Sequence, residues 1–162
     1  MSLIALSENV GEALSRQGWM LATAESCTGG WVAQTMTAVP GSSRWFDRGF
    51  VTYSNASKME MLGVSSQTLS DHGAVSEETA REMAEGALRR SAAQIALSIT
   101  GIAGPGGATP DKPVGTVWFA WACLDSATQL YRACFAGDRQ QVREQAVSRA
   151  LQGVLDRLNH DG

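Results

Sequence analysis

The stretch Leu21-Ala22-Thr23-Ala24-Glu25-Ser26-Cys27-Thr28-Gly29-Gly30 decides how this chain folds. Residues 19–24 read as a short buried strand that stops at a sharp polar turn. Gly29 and Gly30 then open a helix over residues 31–38, which Pro40-Gly41 stops. A strand that feeds a helix through small residues is where α/β proteins gather backbone N–H groups, and so where they bind anions. The same turn presents a hydroxyl at the mouth of a pocket, the placement that a serine nucleophile needs. Ser26 and Thr28 equally suit the plainer task of capping the helix.

Working outward, Leu3, Leu6, Val10 and Leu14 recur at helical spacing, which predicts an amphipathic helix over residues 3–17, closed by Gly18. Downstream, residues 50–53 read as a second strand, residues 55–62 as a short helix and residues 66–71 as a further turn of helix. Ser76 is a good N-cap, with Glu77 and Glu78 favourable at the positive end of a helix that runs to about residue 91. Residues 95–99 are apolar enough for a central strand, and residues 100–115 form a Gly/Pro-rich loop. Residues 116–123 and 130–135 form a hairpin, and Asp138 caps a last helix over residues 139–159. This alternation predicts one α/β domain over residues 1–162: a three-layer α/β/α sandwich around a mixed, mostly parallel five-stranded sheet with one antiparallel strand.

Composition narrows the function. The 162 residues are 44% hydrophobic and 18% charged with a net charge of −3, the make-up of an ordinary globular domain. The acidic balance argues against a nucleic-acid surface. No apolar run approaches the roughly 20 residues that a membrane helix needs, and no signal peptide opens the chain. Three cysteines, Cys27, Cys123 and Cys134, lack metal-ligand spacing and point to a reducing cytoplasm. The expectation is therefore a cytoplasmic protein with no metal, no cofactor and no membrane or nucleic-acid partner.

Scarcity is more informative. Of 13 basic residues only Lys58 and Lys112 are lysines, and the histidines are His72 and His160, the latter close to the C-terminus. Three loops are expected at the carboxyl ends of the parallel strands. The first supplies Ser26 with Cys27, Thr28, Gly29 and Gly30; the second supplies Tyr53, Asn55 and Lys58; the third supplies Thr100, Gly101, Ala103 and Gly104. With no dependable internal histidine, Ser26, Lys58 and Tyr53 form the candidate catalytic set, in which Lys58 is the natural base once its pKa has fallen by roughly 2–3 units. Cys27 is the alternative nucleophile. Arg139 and Arg143 set positive charge at the positive end of the last helix, which suggests an anionic ligand or an acidic neighbour, and Arg139 is the candidate anion ligand.

Several blocks taken together resemble the CinA C-terminal domain family. They are Ala24-Glu25-Ser26-Cys27-Thr28-Gly29-Gly30, Gly49 to Asn55 with Lys58, His72-Gly73-Ala74-Val75-Ser76, Ser98 to Pro105, and Lys112 to Trp118. The resemblance spans residues 5–158 and implies a Ser/Lys/Tyr site at Ser26, Lys58 and Tyr53. It also implies hydrolysis of nicotinamide mononucleotide to nicotinic acid mononucleotide and ammonia; a homo-oligomer that needs no cofactor is expected. Lys58 would take the Ser26 proton directly or through Tyr53, and backbone N–H groups of residues 26–30, or near Gly101, would hold the oxyanion. The competing expectation is a non-catalytic nucleotide-binding or regulatory domain.

Overall fold

A computed structural model describes residues 1–161, with side chains to residue 159, so the side chain of His160 lies outside the described residues. The elements in chain order are α1 (Leu3–Gln17), β1 (Leu21–Glu25), α2 (Trp31–Thr37), β2 (Phe46–Val51), α3 (Asn55–Leu62), α4 (Ser66–His72), α5 (Glu77–Arg89), β3 (Ile95–Gly101), β4 (Thr116–Cys123), β5 (Gln129–Cys134) and α6 (Arg139–Asp161). The strands lie in the order β2-β1-β3-β4-β5. β1 pairs in parallel with β2 and β3, and β4 runs antiparallel to both of its neighbours. Four strands thus share one direction, as the helix–strand alternation predicts.

α1, α2 and α6 cover one face of the sheet, and α3, α4 and α5 belong to the other. Leu6, Val10 and Leu14 of α1 meet Val142, Ala146, Leu151 and Val154 of α6 over Leu21, Leu97, Phe119 and Trp121 of the sheet. On the opposite face Met83 and Ala87 of α5 pack on Ala22, Ala24 and Ala96, with Leu62 of α3 in the same cluster. Burial of these apolar faces is the main force that fixes the layers.

The helix ends follow their sequence signals. Ser54, Ser65 and Ser76 accept N-terminal backbone N–H groups of α3, α4 and α5. Asp138 Oδ1 accepts from Gln141 N at 2.9 Å, and Gln141 Oε1 accepts from Asp138 N at 2.8 Å, a reciprocal capping box for α6.

The second strand departs from expectation: it occupies Phe46–Val51 instead of residues 50–53. Asp47, Arg48 and Gly49 hide it because β2 is an edge strand with no apolar alternation to read. Its polar groups are tied down locally, with Asp47 Oδ2 accepting from Ala92 N at 2.9 Å and from Arg48 Nε at 2.8 Å. A Cβ on Gly49 would stand 2.7 Å from Thr23 Oγ1, so a side chain there would push β2 off β1.

α3 is short, and its place depends on how closely α5 approaches it. Gly86 of α5 lies against the Leu62 carbonyl at the end of α3, which also accepts from Arg90 Nη1 at 3.1 Å. A methyl group at position 86 would meet that backbone oxygen. Gly→Ala within a helix ordinarily stabilises by up to about 1 kcal/mol. Here Gly86→Ala is expected to destabilise by about 1–3 kcal/mol through overpacking, read as a lower urea midpoint.

Candidate active site

β1 ends at Glu25, and the turn that follows carries Ser26. Ser26 N donates to Ile99 O of β3 at 3.0 Å, which extends the ladder by one residue and fixes the serine at the sheet's carboxyl edge. Ser26 O then accepts from Gly29 N at 3.1 Å, closing the turn. α2 has no side-chain cap of its own, since Gly30 stands at its N-cap position with φ +103°. Glu25 supplies the cap from within the core. Fully buried, its carboxylate accepts from Thr28 Oγ1 at 2.7 Å, Val32 N at 2.9 Å and Ala33 N at 3.0 Å. A carboxylate at a helix N-terminus is favoured by both the dipole and the unsatisfied N–H groups.

Lys58 sits in the first turns of α3, and its side chain runs back toward the helix start, as helical geometry directs. It is only 1% exposed. Its Nζ donates to Ser26 Oγ at 3.0 Å, to the Thr52 carbonyl at 2.8 Å and to the Tyr53 carbonyl at 3.2 Å. Burial drives its pKa down from 10.5 to about 8, because the charged form loses its water. Three acceptors match the three N–H bonds of the ammonium. On deprotonation the two carbonyls hold the two remaining N–H bonds, and the lone pair is left facing the Ser26 hydroxyl. The local geometry therefore selects one lone-pair direction.

The pocket above this pair has a volume of about 270 Å³ and is walled by Ala74, Val75, the loop Thr100–Gly107 and Arg139. Thr100 is held by donating to the Ala74 carbonyl at 2.8 Å. Gly101 and Gly104 permit close packing on Val117 and Val114, where any Cβ would collide. At the mouth, Arg139 Nη1 donates to the Gly104 carbonyl at 2.8 Å and Nη2 to the Tyr53 hydroxyl at 3.2 Å.

Of the expected site residues, Ser26, Lys58, Tyr53, Cys27, Thr100, Gly101, Ala103, Gly104 and Arg139 come together around this pocket. Tyr53 presents its backbone carbonyl to Lys58, whereas the residue is 63% exposed and its hydroxyl accepts from Arg139. Thr28, Gly29 and Gly30 line a separate hollow behind the turn with Trp31 and Arg143. Asn55 stands exposed at the start of α3, away from the pocket lining. Cys27 is buried, which pushes its thiol up to about 11 and keeps it protonated near neutrality. His72 lies in a neighbouring hollow, 3.5 Å from Glu78. Among the described residues, no group of three His, Cys, Asp or Glu side chains could hold a metal, and no helix is long and apolar enough to cross a membrane.

Sequence reasoning assigned no role to Glu25 or to the pocket walls at Ala74 and Val75. An acid at the end of an otherwise apolar strand is the signal for Glu25, since a buried carboxylate needs donors close by.

A serine in contact with a buried lysine, at the carboxyl end of parallel strands in an α/β/α sandwich, defines the class: an α/β protein with a serine–lysine dyad suited to acyl transfer. The chain belongs to the CinA C-terminal domain family, whose model matches residues 3–158. It is 57% identical over 150 residues to the nicotinamide-nucleotide amidohydrolase PncC of Escherichia coli K12, covering 93% of this chain and 91% of that one. It is 53% identical to a putative competence-damage inducible protein of Symbiobacterium thermophilum, matching 90% of this chain but 36% of that longer protein. Among solved structures, the competence damage-inducible protein A of Klebsiella pneumoniae superposes with a TM-score of 0.95 at 41% identity, covering 99% of each chain. The competence/damage inducible protein CihA of Agrobacterium tumefaciens gives 0.93 at 42%, covering 98% of this chain and 99% of that one.

The depressed lysine pKa links protonation to stability. Between about pH 8 and 10.5 the unfolded chain binds the Lys58 proton and the folded chain does not. Stability from this group therefore rises with pH across that window and carries its full penalty below pH 8. Denaturant titrations at pH 7.5 and 9, below the range in which the raised Cys27 thiol acts in the opposite sense, are expected to show this rise, and Lys58→Met to lose it.

Proposed function

We propose that this chain is a nicotinamide-nucleotide amidohydrolase in which Ser26 is the nucleophile and Lys58 the general base. The observation that carries the reading is the 3.0 Å contact of a desolvated lysine amine with the serine hydroxyl at the floor of the pocket. The name of the 57% identical Escherichia coli relative supports the substrate. A pocket of about 270 Å³ suits a pyridine carboxamide. The ribose and phosphate then lie at the mouth, where Arg139 and the Tyr53 hydroxyl stand.

Neutral Lys58 accepts the Ser26 proton, and Oγ attacks the carboxamide carbon to give a tetrahedral oxyanion. The resulting ammonium returns a proton to the departing nitrogen, which leaves as ammonia. Lys58, neutral again, takes a proton from the water that attacks the acyl-serine and returns it to Ser26 Oγ as the acid departs, which restores the free serine and the neutral amine. No relay through Tyr53 is required, because Nζ reaches Oγ directly. With a pKa of about 8, roughly a tenth of the molecules carry neutral Lys58 at pH 7.

Ammonia release from nicotinamide mononucleotide is the test. Ser26→Ala is expected to be inactive yet folded. Lys58→Arg keeps the charge but cannot shed a proton, so it is expected to lose about 10²–10⁴-fold, as Lys58→Ala does. The wild-type rate should fall as pH drops below about 8, tenfold per unit once Lys58 is mostly protonated. An active Ser26→Ala enzyme, or a vigorous Lys58→Arg, overturns the dyad.

Arg139 serves the substrate phosphate in this scheme. Arg139→Ala is expected to raise KM on the order of 10- to 100-fold, the size of a lost charge-assisted bond, with a smaller effect on kcat. An unchanged KM places the phosphate elsewhere.

A further inference from the structure

Arg143 is not among the residues that line the catalytic pocket; it lies in the hollow behind the Ser26 turn with Thr28, Gly29, Gly30 and Trp31. From there its Nε donates to the Cys27 carbonyl at 3.0 Å and its Nη2 to the Thr28 carbonyl at 3.3 Å. The guanidinium is steadied 5.5 Å above the Trp31 ring, a cation–π separation. Gly29, at φ +61°, lets the turn present both carbonyls to this one side chain.

A trans peptide unit points its C=O and its N–H in opposite directions. Fixing the Cys27 carbonyl on Arg143 therefore aims the Thr28 N–H away from Arg143 and the rear hollow. The Ser26 carbonyl is occupied by Gly29 N, which turns the Cys27 N–H outward from the turn in the same way. Glu25 completes the restraint by holding the Thr28 hydroxyl and the first N–H groups of α2.

We propose that Arg143 is a positioning residue that orients the Cys27 and Thr28 amides as the oxyanion-binding pair. The proposal rests on the reading of Ser26 as the nucleophile. Oxyanion donors act on charge that develops after substrate has bound. Loss of Arg143 thus slows the chemical step and leaves ground-state binding intact. Neither carbonyl that Arg143 holds is one that Lys58 touches, so the acid limb of the rate profile is also left in place.

The experiment measures kcat, KM and the pH–rate profile for ammonia release in Arg143→Ala and Arg143→Lys, with Ser26→Ala alongside. For Arg143→Ala, kcat is expected to fall about 10- to 100-fold, while KM stays within about threefold and the acid limb stays near pH 8. Millimolar guanidinium chloride should restore part of that kcat. Lysine brings a single small ammonium to two carbonyls, so Arg143→Lys should lie between wild type and Arg143→Ala in kcat, with wild-type KM and melting. If Arg143→Ala fails to fold, Arg143→Lys decides alone. Full kcat in Arg143→Lys overturns the proposal, as does a raised KM with preserved kcat, which would make Arg143 a substrate ligand. A displaced acid limb overturns it too, by routing the effect through Lys58. Continued ammonia release by Ser26→Ala would instead overturn the nucleophile reading on which the proposal stands.

Discussion

A lysine amine held out of water beneath a serine hydroxyl is the constraint that the rest of the structure serves. Charged, Lys58 loses hydration that its three acceptors only partly replace; neutral, it keeps two carbonyl partners and turns its lone pair on Ser26. Such a group persists only where the surroundings over-determine its position. Here β1 and β3 fix the serine, the Ser54 cap and the Leu62 packing fix α3, and the two meet without a third side chain between them.

The sheet order explains why the two residues meet at all. β2 and β3 flank β1 in parallel, so the loops after all three strands emerge on the same edge. The turn after β1 carries Ser26, the loop after β2 leads into α3 with Lys58, and the glycine-rich loop after β3 closes the pocket. β5 runs the same way and ends at this edge, so α6 starts there and brings Arg139 and Arg143 to the two sides of the Ser26 turn, one at the pocket mouth and one behind. A parallel sheet concentrates chemistry at one edge in this way because every crossover returns the chain to the same starting side.

Much of this was legible in the sequence. Strong periodicity marked α1, α5 and α6, and small residues bounded by turn signals marked β1 and its turn. Scarcity of lysine and histidine singled out Lys58 before any geometry was known. What stayed hidden depends on partners remote in sequence or on backbone atoms. β2 is polar because it lies at an edge, so periodicity could not locate Asp47 and Arg48 within a strand. The hydroxyl of Tyr53 was expected near Lys58, yet the backbone carbonyl is what reaches the amine, and no residue type encodes that. Thr28 was expected among the loop residues that gather at the site, but Glu25 draws its hydroxyl inward. The contacts of Arg143 with Cys27 and Thr28 join residues 116 and 115 positions apart, beyond the reach of any local pattern.

Eleven of the thirteen basic residues are arginines, and both cations at the edges of the Ser26 turn are among them. Guanidinium groups hold their protons at any pH in which proteins work. The field around the turn is therefore constant while the single amine inside it gains or loses charge. Beside that amine the buried Cys27 thiol, pushed up to about 11, keeps its proton near pH 8, so the charge of the site in that range follows Lys58.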